Sequence, residues 1–334
     1  MTSFTRLVSL VGLVTIIALV TPLSVSAADK VRMRLSTSAS ETDQRSVAFA
    51  EVFAPAIAGF ADYEPSYNAS LFAQGTELEA IARGNLEMAF ASAQELAQYI
   101  PEFSIFTAGY VHQDAEHQKK VFAAPLMNDF KKAAEETLNL KLLSVMYLGR
   151  RQVNLRMPKS EVTVKTPADL AGVNLRMPGT DAWQFLGSAL GASPTPLAFS
   201  EVYTALQTGA VDGQDNPLPT VVDKKFYEVT KQIVLTSHLV DLNYAAISLE
   251  IWNDLSSAQK AIVQRAADEA AEKGRQRQLK LEKKLVSFLE GEGLDVYTPD
   301  LAAFRKKVQG EYVKSNFAKT WPKGVLQQIN ALGK

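Results

Sequence analysis

The chain of 334 residues contains no cysteine. That removes disulfides, thiolate metal sites, iron–sulfur clusters and thiol nucleophiles together. Histidine is almost as scarce: His112, His117 and His238 are the three present. No HExxH pair exists, and His112 and His117, five residues apart, do not share a helix face for a metal. A surplus of either charge is missing too, with 35 Lys+Arg against 36 Asp+Glu. Nothing in that balance would hold a polyphosphate backbone, so no nucleic-acid partner is expected. Gly (18) and Pro (14) together fall below a tenth of the chain, which excludes collagen-like and low-complexity classes. A GxSxG elbow, a Walker A sequence and a GxGxxG after a strand are also absent. Asp212-Gly-Gln-Asp215 lacks the ligand spacing and distal Glu of a calcium loop. No metal and no cofactor are expected.

What is present describes an exported globular protein. Hydrophobic residues make up 47% and charged residues 21%, and the length suits about two domains. The one long apolar run, Leu7 to Val20, follows Arg6, breaks at Thr21-Pro22 and leads to Val25-Ser26-Ala27. This is the three-part build of a secretory signal peptide, with cleavage expected after Ala27. The run is shorter than the ~20 apolar residues a membrane span needs. The mature protein is expected to be soluble and periplasmic.

Along the mature chain, Val31 to Thr37 alternates apolar and polar residues as a half-buried strand does. The spacing predicts a helix over 42–58, a strand over 63–67, a helix over 76–83 stopped by Gly84, and a strand over 86–91. Strands at 142–148 and 173–178 and helices at 181–190 and 200–207 continue the alternation, with Ser200 as a candidate cap. The pattern predicts an open α/β sheet with largely parallel neighbours. The hexapeptide VNLRMP recurs at 153–158 and 173–178, too few copies for a solenoid. Ser256-Ser-Ala-Gln259 has capping-box spacing and opens a helical pattern to about Glu290. At 1.5 Å per residue that helix would reach about 50 Å, long enough to lie across two lobes.

Two arginines stand in strand contexts. Arg176 lies near the C-terminal end of a strand, where ligands of open α/β sheets bind, and its planar fork matches a carboxylate. Arg151 follows Leu142–Leu148 and is placed at a second strand end. On spacing alone, both could equally be solvated or form structural ion pairs.

The run from Leu170 to Leu218 carries the strand-borne Arg176, then GASPTP, SEVYTALQTG and VDGQDNP. This string strongly resembles solute-binding proteins of tripartite ATP-independent periplasmic (TRAP) transporters, the DctP-like family. The likeness extends more loosely over nearly all of the mature chain, including Gly149-x-Arg151 and the long late helix. The resemblance implies an α/β, two-lobed periplasmic binding protein (class II-like) with cross-lobe strands and a long helix spanning both lobes. It divides the chain into a signal peptide at 1–27, a first lobe at 28–150 and 240–281, and a second lobe at 151–239 and 282–334.

The resemblance implies that Arg176 binds the ligand carboxylate and that Arg151, or Arg156 in its place, is a second pocket arginine. It places Asn216 in the pocket, Phe199 and Tyr203 at or near the ligand, and Ser92 to Glu95 in a first-lobe loop that sets specificity. Sialic-acid binders carry an acid where Ser92 aligns and a base where Glu95 aligns, so sialic acid is disfavoured here. Gln74, Ser92, Gln94, Glu95, Asp215 and Asn243 as hydrogen-bonding candidates favour a hydroxy acid or sugar acid over a simple C4-dicarboxylate. The expected function is capture of a small organic acid by a monomer and delivery to the large and small subunits of an ion-gradient-driven TRAP permease. The alternatives are an exported enzyme acting on carboxylates, or a binding protein that reports ligand to a receptor. The enzyme needs a base near Arg176, and no histidine lies within 50 residues of it in sequence.

Overall fold

Met33 and Leu35 point into the core while Arg32 and Arg34 point away, and this alternation sets Val31–Ser36 as strand β1. The computed structural model describes Met1 and residues 30–333, so the cleavage site expected after Ala27 lies outside the described residues. The other strands are β2 (Ala61–Ser66), β3 (Met88–Ala91), β4 (Leu140–Leu155), β5 (Asn174–Met177), β6 (Ser193–Pro196), β7 (Gly213–Pro217), β8 (Gln232–Ser248) and β9 (Asp295–Tyr297). They form one sheet in the order β2-β1-β3-β8-β4-β7-β5-β6, with β9 beside β8.

The flanks of this sheet are parallel, but its centre is antiparallel: β8 pairs with β3 and β4, and β4 pairs with β7. The expectation of largely parallel neighbours fails there. The βαβ alternation in sequence implies parallel pairing only among neighbours on one side of the molecule. β8 returns from the second half of the chain and enters the first half from the opposite end.

The long strands β4 and β8, of 16 and 17 residues, build two lobes joined by a shared spine. Leu140–Met146 of β4 pairs with Asn243–Ser248 of β8 beside β3, β1 and β2. Arg151–Leu155 of β4 belongs with β7, β5 and β6. Register shifts at Tyr147/Gly149 and Arg151/Val153 fall where the strands pass between lobes. Gly149 sits there at φ +116°, and a Cβ would lie 2.7 Å from Pro217 Cβ and 2.9 Å from Glu282 Oε1. Only glycine fits that crossing.

The late helix runs from Ser257 to Gly291, opened by the Ser256/Gln259 capping box that its spacing predicts. Its 35 residues reach about 52 Å. Val263, Ala266, Ala267 and Ala270 pack with Met33, Leu35 and Phe53 of the first lobe. Leu285 and Leu289 pack with Val202, Leu206, Phe226 and Ile233 of the second. Small alanines in its first half let the helix lie close on β4. The final helices brace both sides: Tyr312 Oη donates to Thr107 O at 3.0 Å in the first lobe, while Phe185 of the second stacks edge-on against Tyr312 at 4.8 Å. Ser200 does not cap a helix; a 3-10 turn, Phe199–Glu201, leads into the helix Val202–Thr208, whose cap position is Glu201.

Candidate functional site

A cavity opens between the lobes with three kinds of wall. The first lobe supplies Arg45, Gln74, Glu77, Ser92 and Glu95. The crossing strands supply Arg151, Asp241 and Asn243, and the second lobe supplies Arg176, Trp183, Phe199 and Asn216. A depression of about 900 Å³ lies elsewhere, along the long helix. Among the charges around it, Glu272 is paired with Lys119 and Arg275.

Arg176 is the penultimate residue of β5, which Pro178 stops before the chain turns toward the helix Asp181–Ala189. Its side chain is 1% exposed, yet it has no ion pair with a carboxylate among the described residues. Nε and Nη2 both donate to Leu197 O, at 2.9 and 2.7 Å, and the guanidinium lies 5.6 Å from the Phe199 ring centroid. Burial lowers its pKa to about 9, with Arg151 adding to the fall and Asp215 opposing it. A buried cation with open donors calls for an anion.

Arg151 is the opposite case. Its Nε and Nη2 donate to the two Asp215 oxygens at 2.6 and 2.9 Å, and Nη1 donates to Asp241 Oδ2 at 2.6 Å. The guanidinium covers the Trp183 ring at 4.4 Å. Burial opposes its charge, but the two carboxylates outweigh burial and hold its pKa above the ordinary value. Arg151 is not at a strand end: it lies inside β4, because the strand continues through the bulge after Leu148. Arg156 is exposed beside Gly209, outside the cavity wall.

Two further candidates are displaced by the geometry. Asp215 is fully buried behind the wall, with Oδ2 shared between Arg151 and His238 Nε2 at 3.0 Å. Burial opposes its ionisation, but Arg151 and His238 hold its carboxyl far below the usual range. Its carboxylate serves Arg151, not the cavity. Tyr203 lines a neighbouring groove, where its hydroxyl donates to Glu228 at 2.9 Å. Gln94 is buried at 2% exposure outside the cavity wall.

The remaining candidates converge. Asn216 donates to Gln214 Oε1 at 2.5 Å, which fixes its amide orientation. Phe199 N donates across the lobes to Gln74 Oε1 at 3.1 Å. Ser92 and Glu95 form a capping box at the helix Ala93–Leu96, so the serine hydroxyl is engaged locally. Asn243 Oδ1 accepts from Arg45, itself held bidentately by Asp43 at 2.8 Å on both arms.

Arg45, Glu77, Trp183 and Asp241 escape the sequence reading. Asp241 carried one usable signal, a charge inside the apolar run Leu239–Leu242. Arg45 and Glu77 look like ordinary first-turn charges, and only the tertiary fold buries them.

Comparison with known proteins agrees with this architecture. The profile of the bacterial extracellular solute-binding proteins, family 7 (DctP), matches residues 35–320. The sialic acid-binding periplasmic protein SiaP of Vibrio cholerae is 34% identical over 235 residues, 70% of this chain and 72% of that one. A TRAP periplasmic solute-binding protein from Roseobacter denitrificans, crystallised with 3-deoxy-D-manno-oct-2-ulosonic acid (KDO), is 70% identical with a TM-score of 0.91. It is covered over 100% of its length and covers 91% of this chain. Another from the same species, bound to L-galactonate, is 26% identical at a TM-score of 0.80, covering 91% of this chain and covered over 99% of its own. The chain belongs to family 7 of the bacterial extracellular solute-binding proteins, and it is a TRAP-type solute-binding protein of two lobes. Among the described residues no helix is long and apolar enough to cross a membrane.

Proposed function

We propose that this DctP-family chain captures a sugar acid or related hydroxy acid between its lobes and presents it to the large and small subunits of a TRAP permease. The observation that carries the reading is Arg176, a buried cation with open donors facing the cavity and no carboxylate partner among the described residues. The ligand carboxylate supplies that partner in a bidentate pair. Arg151, already neutralised by Asp215 and Asp241, positions Trp183 and braces the wall. Asn216, Asn243, Gln74, Glu77 and Glu95 face the hydroxyl-bearing remainder. The 70% identical protein holds KDO, an acid with one carboxylate and several hydroxyls, and this supports the same ligand class here.

The cycle is binding and closure without turnover. His112, His117 and His238 all lie outside the cavity wall, which leaves the site without an imidazole base. The chain acts as a monomer in the periplasm, exported by a signal peptide cleaved after Ala27. Its lobes comprise 28–150 with 240–281, and 151–239 with 282–334, the last helices bracing both.

A thermal-shift screen of the mature protein tests this reading. Because the ligand binds only the native state, KDO or L-galactonate should raise the melting temperature in proportion to ln(1 + [L]/Kd). A shift with succinate and none with any sugar acid would overturn the ligand class.

A further inference from the structure

We propose that Glu77 and Glu95, on the first-lobe wall of the cavity that Arg176 closes from the second lobe, are the specificity-determining pair. They read ligand hydroxyls and reject a second carboxylate. This deepens the sugar-acid reading and rests on it.

The geometry leaves both acids half engaged. Glu77 begins the helix Glu77–Ala82 at 8% exposure, and its Oε2 accepts from Gly75 N at 2.7 Å. Glu95 Oε2 accepts from Ser92 N and Oγ at 2.9 and 2.8 Å. Among the described residues, Oε1 of each has no protein donor and neither acid has an ion pair, although both line the cavity. The cations beside them are taken: Arg45 by Asp43, and Arg151 by Asp215 and Asp241.

Two acids that face one cavity with no cation, Glu77 buried and Glu95 half-buried, cannot both ionise cheaply. Burial, with Glu95 adding to it, pushes Glu77 up to about 8. Burial also pushes Glu95 upward; Ser92 and Arg45 oppose that, and Asp241 reinforces it. The raised Glu77 therefore presents an acid O–H beside the acceptor oxygens of Glu95 and Asp241. A hydroxyl both donates and accepts, so it satisfies this pair. A second ligand carboxylate would meet Glu95 and Asp241 with no free cation, and would be left desolvated and unpaired.

Titration calorimetry with three probes tests the pair. KDO and L-gulonate carry one carboxylate; D-glucarate is L-gulonate with its terminal CH2OH oxidised to a second. The native protein should bind at least one monoacid about 100-fold more tightly than D-glucarate, the scale of an unpaired buried charge. Glu77→Gln with Glu95→Gln keeps the shapes, and glutamine still suits the capping box. In that variant D-glucarate should tighten about tenfold while the monoacid changes less. Glu95→Gln alone should move the ratio the same way, should the double variant fail to fold. An unchanged diacid-to-monoacid ratio, with monoacid binding intact, would overturn the role of the pair and leave the function standing. Failure of both monoacids to bind the native protein would overturn the sugar-acid reading, and this inference with it.

Discussion

Arg176 directs Nε and Nη2 at one acceptor, the Leu197 carbonyl, at 2.9 and 2.7 Å. That pair of hydrogen bonds fixes the guanidinium plane before any ligand arrives. Its remaining donors meet the cavity, and its charge meets no carboxylate among the described residues. A rigid, uncompensated fork is preorganised for an anion, because little side-chain freedom is left to lose on binding.

Removing this fork should destroy binding. Arg176→Ala leaves the ligand carboxylate buried without a partner, a cost of about 2–5 kcal/mol, or about 30- to several-thousand-fold in affinity. Arg176→Lys should recover only part of it, because an ammonium keeps the charge without the planar geometry. Calorimetric titration with KDO compares the three proteins. Equal affinities would remove Arg176 from the carboxylate site.

The same residue should weaken the empty protein. A buried charge without a counter-charge costs free energy, and a hydrophobic side chain of similar length does not. Arg176→Met should therefore melt higher than the native protein without ligand, by about 2–4 °C per kcal/mol regained. With saturating KDO the order should reverse. A variant less stable than the native protein in both conditions would mean that Arg176 is a structural residue.

Local patterns were legible in the sequence where one element decides its own conformation. The alternation of Val31–Ser36, the Ser256/Gln259 box and the helix formers that run, past the single Gly274, to Gly291 needed no tertiary partner to be read. Arg176 stood out because a strand and a proline stop frame it. Arg151 was misplaced because Gly149 reads as punctuation, whereas the fold uses it as a bulge at φ +116° inside β4. Asp215 reads as a pocket acid, and only the approach of β7 to β4 turns it toward Arg151. Glu77 looks solvated on a short helix, yet in the fold it is 8% exposed and lines the cavity. What stayed hidden depends on contacts between residues far apart in the chain.

Acid sensitivity should trace to His112. The ring is 4% exposed and stacks on Phe106 at 6.0 Å, and neither nitrogen has a hydrogen-bond partner among the described residues. Burial first, and His117 second, push its pKa down to about 3. The folded value lies below the unfolded one, so the unfolded chain binds the extra proton. Stability from this group is full above the unfolded pKa and is lost as pH falls toward 3, by about 1.4 kcal/mol per unit at most. His112→Phe, which keeps the aromatic stack, should flatten the loss of stability between pH 6.5 and 4. Urea unfolding at pH 7, 6, 5 and 4 measures the slope. Parallel slopes for both proteins would place the acid sensitivity elsewhere.

Closure should depend on a latch at the cleft rim. Asp223 ends the helix Leu218–Asp223 of the second lobe, and its two oxygens accept from Ser40 Oγ at 2.6 Å and Thr42 Oγ1 at 2.5 Å in the first. Next to it Lys224 Nζ donates to Asn68 Oδ1 at 2.7 Å. These bonds join opposite lobes, so an open protein cannot make them, and they favour only the closed, liganded state. Thr42 and Lys224 lie at the solvent edge, and screening there reduces the latch to about 1 kcal/mol, or about fivefold. Asp223→Ala should therefore weaken KDO binding about fivefold, mainly through faster release, because the latch forms after the ligand has entered. Small-angle scattering should still show the radius of gyration falling with saturating KDO, since Arg176 and the cavity wall remain. Stopped-flow release that matches the native rate would show that the rim contacts accompany closure without stabilising it.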